Sequence, residues 1–210
     1  MKKIIVLLFA AICFIACQKE ITDSVDNGGD NSGGNNNDTS NVLIGTWTFD
    51  SLSSQQHTTA DVNDNGIDDL TVSDFSYTSA GNFGTLTVND SLFKLSGITY
   101  SFSTTITSSV YQDGVLTDTS SYPYGFYFPP SNSSSTYQLI GADSVYFPNG
   151  NPFPKDTSLT TQQPFGLKFK INGNSLIFTQ AINLDTTLTS SGTALHETST
   201  GTGYLYFHKN

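Results

Sequence analysis

Over most of its length the chain alternates hydrophobic and polar residues one by one, the period of a strand whose two faces meet different surroundings. In GITYSFSTTIT, residues 97–107, Ile98, Tyr100, Phe102 and Ile106 fall on one side, and Thr99, Ser101, Ser103 and Thr105 on the other. LIGTWTF (43–49) sets Leu43, Gly45, Trp47 and Phe49 together; GTLTVND (84–90) and GLKFKI (166–171) alternate likewise, with Lys168 and Lys170 facing out. No window carries a helical period. The pattern predicts antiparallel strands with one buried face and one wet face. Asn172-Gly173 and Asp113-Gly114 separate such runs and suit two-residue hairpin turns, with Asn89-Asp90 and Ser191-Gly192 as weaker versions. About eight to ten strands at short spacing follow, in an all-β meandering barrel or a sandwich.

VLIGTWTFDSL (42–52) and GTGYLYFHKN (201–210) together resemble the first and last strands of lipocalin-like, calycin-type bacterial outer-membrane lipoproteins. The resemblance rests on Gly45-Thr46-Trp47 and implies an antiparallel up-and-down barrel over residues 42–210. It further implies that Trp47 packs across the closed end of the barrel, where the family usually sets an arginine from the last strand over it. The chain contains no arginine, so only His208 or Lys209 could take that place.

The start of the chain reads as an address. Lys2 and Lys3 precede an apolar run ending at Ala16, too short to span a bilayer and laid out as a signal peptide over residues 1–16. Phe14-Ile15-Ala16-Cys17 resembles a lipobox, whose cysteine is acylated after cleavage. Cys13 would leave with the leader, so Cys17 would remain as the mature chain's one cysteine, unable to form a disulfide within it. Several acyl chains give stable anchoring where one does not. Residues 17–41, rich in Gly, Asn, Asp and Ser, have little to bury and read as a flexible tether of roughly 25 Å. Gln18 after the cysteine points to the outer membrane, and Gln18-Lys19-Glu20 resembles a surface-display tag.

Charge narrows the partners. The net charge is −10, and removal of Lys2 and Lys3 would take it to −12. An acidic chain without arginine argues against nucleic acid, where neutralisation of phosphates supplies much of the affinity.

Two stretches carry candidate chemistry. DVNDNGIDDL (61–70) has the D-x-N-x-N-G spacing of a calcium loop: Asp61, Asn63 and Asn65 would supply side-chain oxygens, Ile67 its carbonyl, and Asp69 a further oxygen. Val72 stands where an EF-hand carries its bidentate glutamate. A turn rich in Asn and Asp that needs no metal is the competing reading. SYPYGFYFPP (121–130) sets Tyr122, Tyr124, Phe126 and Phe128 on one face, as packed core, as the wall of an apolar ligand cavity, or as a stacking face for glycan. His57, His196 and His208 are scattered, and no nucleophile elbow, phosphate loop or carboxylate pair occurs. The expectation is a non-enzymatic lipoprotein of the outer membrane or cell surface. It would bind a small apolar ligand or act as a scaffold, or alternatively serve as a glycan-associated, adhesive module with a calcium-ordered loop.

Overall fold

A computed structural model describes residues 42–64, 67–153, 164–190 and 193–209. The expected leader, acylated Cys17 and tether, residues 1–41, lie outside the described residues. The fold is all-β: β1 (Gly45–Asp64), β2 (Ile67–Thr78), β3 (Ala80–Val88), β4 (Leu92–Gln112), β5 (Val115–Thr136), β6 (Gln138–Ile140), β7 (Ser144–Phe147), β8 (Phe165–Asn172), β9 (Ser175–Ser190) and β10 (Thr193–Lys209). All ten belong to one antiparallel sheet. Among the described residues no helix is long and apolar enough to cross a membrane.

The long strand β1 pairs along one edge with β10, and along the other with β3 and then β2. β2 and β3 run in line, so they act as one strand interrupted at Ser79. That residue mends the break: its N–H donates to Leu52 O at 2.7 Å, and its Oγ accepts from Leu52 N at 2.7 Å. β4 lies against the far edge of both and against β5. β10 continues the sheet through β9, β8 and β7 to β6.

The two ends of this order, β5 and β6, are joined by one residue. Thr136 pairs with Leu92 of β4, and Gln138 pairs with Tyr146 of β7, so the chain steps from one margin of the sheet to the other through Tyr137. Buried Tyr137 donates its hydroxyl to Asn89 O at 2.8 Å. The loop after β7 reinforces the step, because Asn149 donates to Thr136 Oγ1, Ser135 to Gly150 O and Ser133 to Pro152 O. At this end aromatic side chains of β4, β7 and β9 meet; away from it β4 and β5, β1 and β2, and β9 and β10 extend as long hairpins.

Aromatic side chains fill this end. Phe93, fully buried, meets Phe147 at 5.1 Å, Phe178 at 5.6 Å, Tyr137 at 5.8 Å and Phe153 at 6.0 Å, each ring turned edge-on. Such T-shaped contacts place a ring's positive edge against a neighbour's negative face, adding to the gain from burial. Trp47, Leu86, Leu167 and Phe207 complete this floor.

The turns obey the expected chemistry with one correction. Asp113 and Gly114 take φ of 50° and 77° between Gln112 and Val115, the all-positive pair of a type I′ hairpin. At β8–β9, however, Asn172 pairs with Ser175, so the loop is Gly173-Asn174 rather than Asn172-Gly173. Glycine takes the left-handed position, φ 59°, and Asn172 stays in the ladder. Residues 191–192, the expected Ser-Gly turn, lie outside the described residues.

Candidate functional site

The aromatic stripe lies where alternation puts it, on the inner face of β5. Phe128, Phe126, Tyr124 and Tyr122 stand opposite Tyr100, Phe102, Thr104 and Ile106 of β4. Phe128 stacks on Tyr100 at 5.3 Å, and Tyr124 and Phe126 lean on Phe102 at 5.8 and 6.3 Å. Phe102 in turn stacks on Tyr77 at 4.0 Å. Tyr124 and Phe128 are thus half-buried extensions of the core, while Phe126 is 47% exposed.

The described residues of the calcium pattern lie where the β1–β2 ladder ends, with Asp64 paired to Ile67. Asn65 and Gly66, and the side chains of Asn63 and Ile67, lie outside the described residues. Asp61 faces Leu70 and Asp69 faces Val62, so these two carboxylates project from opposite sides of the ribbon. Asp69 accepts from Gln112 at 3.2 Å. Among the described residues no group of three or more His, Cys, Asp or Glu could hold a metal ion.

Trp47 is buried, donates its indole N–H to Leu43 O at 2.9 Å, and lies beneath Lys209, whose Nζ is 5.3 Å from the ring centroid. Of the two cations that could cover the tryptophan, Lys209 does so. The ammonium is held by the ring's negative face and by Ile44 O at 3.5 Å. His208 turns instead to Asp50.

That pair belongs to a set that the sequence hides. Each of the protein's three histidines meets an aspartate of the adjoining strand on the outer face: His57 with Asp74 at 2.7 Å, His196 with Asp185 at 2.8 Å and His208 with Asp50 at 2.5 Å. Only strand pairing brings these partners together, and no local motif announces them. His57 and Asp74 border an open groove of about 560 Å3 that runs across β4, β2, β1 and β10. Gln55, Ser76, Thr105, Thr200 and Thr202 also line it. Their short hydroxyl side chains leave a depression in the sheet. Two positions beyond Thr202 on the same face of β10, Tyr204 stacks with Tyr206 at 6.2 Å.

The inner face of the long hairpins is polar as well as buried. Thr58 bonds Ser199 at 3.1 Å, and Ser73 donates to Ser108 at 3.2 Å, a rung of hydroxyls spanning β10, β1, β2 and β4. Glu197 lies further out on this face, 4% exposed, with Oε1 lacking a hydrogen-bond partner among the described residues. Burial pushes its carboxyl above the usual range. A carboxyl raised in the folded state favours the protonated fold. Its penalty is absent below the unfolded pKa and grows as pH rises through that value toward the folded one. Glu197→Gln is therefore expected to raise the melting temperature at pH 7 by about 2–4 °C. In the acid range, below the ordinary carboxylate pKa, the difference should vanish; scanning calorimetry at both pH values measures it.

No family model and no curated protein sequence matches the chain. Solved structures that match include Ail, the attachment invasion locus protein of Yersinia pestis, at 10% identity over 78% of this chain and 99% of that one, with a TM-score of 0.18. Another is the translocator domain of autotransporter NalP from Neisseria meningitidis, at 11% identity over 80% of this chain and 92% of that one, also with a TM-score of 0.18.

Proposed function

We propose that the chain is a non-enzymatic, lipid-anchored protein of the outer membrane or cell surface whose lipocalin-like sheet is a rigid scaffold that works through its exterior. The observation carrying this reading is the aromatic floor. Phe93 and its ring of neighbours occupy the space that a carrier of apolar ligands keeps open, and Tyr124 and Phe128 pack onto that core. Burial of such rings contributes to stability roughly in proportion to area removed from water, so the filled interior favours rigidity over transport. The lid of Lys209 on Trp47 supports the lipocalin-like comparison, and the Phe14–Cys17 pattern supports the anchor.

Intact mass spectrometry of the chain extracted from membranes tests the anchor. A chain beginning at Cys17 and carrying acyl groups is expected, and Cys17→Ser should release the protein from the detergent phase. A membrane-extracted parent with no acyl mass on Cys17 would refute the reading.

A further inference from the structure

We infer that the outer groove across β4, β2, β1 and β10 is a binding site for a neutral oligosaccharide. Its chemistry selects the ligand class. Gln55 offers both amide donors and an acceptor, while Ser76, Thr105, Thr200 and Thr202 offer hydroxyls that donate or accept. A chain of sugar hydroxyls has the same dual character. The only ionisable pair in the groove, His57 with Asp74, bonds internally at 2.7 Å, and no lysine lines it. In a protein of net charge −10 such a groove repels anionic ligands. Phe75 is the one large apolar residue of the lining, and the remaining hydroxyl and amide walls leave little to reward an acyl chain.

Position supplies the second element. Tyr204 lies two residues from the lining residue Thr202 on the same face, about 7 Å along the strand, and with Tyr206, its ring inclined by 29°, forms an aromatic step beyond one end of the polar trough. Apolar faces of pyranose rings stack on such a step while their hydroxyls meet the trough. The volume of about 560 Å3 lies within the range of small-molecule sites and would hold a few sugar rings. The site is distinct from the inward stripe of Tyr122 to Phe128, which faces the opposite side of the sheet.

The test uses the full chain purified in a zwitterionic detergent free of sugar headgroups, screened on an array of neutral and anionic glycans and then titrated calorimetrically with the best neutral hit. Binding of at least one neutral oligosaccharide is expected, with Gln55→Ala and Tyr204→Ala each weakening affinity about tenfold. Tyr127→Ala, an exposed aromatic of β5 outside the groove, should leave affinity unchanged. The proposal is overturned if no neutral glycan binds, if only anionic glycans bind, or if Gln55→Ala binds as tightly as the parent. Because Gln55 is exposed, that variant keeps its fold. Sugar binding by a chain lacking acyl groups would leave this inference standing while removing the anchor.

Discussion

Phe93→Ala is expected to destabilise the protein by about 3–5 kcal/mol, the cost of deleting a fully buried aromatic whose cavity cannot collapse. The size follows from the neighbours. Phe147, Phe178, Tyr137 and Phe153 each present a ring to Phe93, and they come from β7, β9, the β5–β6 step and the loop after β7. Elements drawn from so many parts of the sheet cannot all shift inward to fill one void. For a chain of this length the melting temperature should fall by about 10 °C. Phe93→Leu, which refills most of the volume, should cost markedly less. Thermal and urea denaturation of the two variants beside the parent measures both values.

Gly84→Ala should destabilise the fold by about 2–4 kcal/mol, through a different cause. Gly84 takes φ of +118°, and a Cβ there would stand 2.7 Å from both Cα and N of Ile98. Those are backbone atoms of the paired strand and cannot rotate away. The residue lies in the irregular stretch of the β3–β4 ladder, where the register shifts between Phe83 and Thr85 and throws Phe83 out to 69% exposure. Gly97 supplies the control from the same region: its φ is +63°, but a Cβ there would meet nothing within 4 Å. Gly97→Ala should therefore cost only the backbone term, about 1–2 kcal/mol. Urea titration should rank Gly84→Ala well below Gly97→Ala in stability, and equal losses would mean that contact with Ile98 is unimportant.

Alternation made the strands legible because one face of each meets the core. Ile98, Tyr100, Phe102 and Ile106 are all buried as their spacing requires, and Asp113-Gly114 turns where its φ preferences dictate. Local pattern could not show where a strand changes phase. At Asp50 a bulge inserts one residue into β1, so that Phe49 and Leu52, an odd and an even position, both face inward. The same limit moved the β8–β9 turn by one residue, since Asn172-Gly173 and Gly173-Asn174 are both acceptable pairs and only the ladder chooses between them.

Long-range pairing explains what stayed hidden at the site. His57 and Asp74 are 17 residues apart, and His208 and Asp50 are 158 apart, so neither pair leaves a trace in any window of sequence. The groove is assembled from alternate residues of four strands, none of which forms a motif alone. Glu197 looks like a surface carboxylate in LHETS, residues 195–199, and its burial becomes visible only when Ala60 is found opposite it on the inner face. The aromatic stripe was readable as a face, but its partners were not: Phe128 meets Tyr100 and Tyr124 meets Phe102 only because β5 pairs with β4 in this register.

A crystal structure of the protein under xenon pressure tests most directly whether the interior is filled. Xenon enters dry apolar cavities and leaves close-packed regions empty. No xenon is expected among Phe93, Phe147, Phe178 and Phe207 or beneath Phe128. An ordered xenon atom in that space would contradict the account and restore the interior as a place for an apolar ligand.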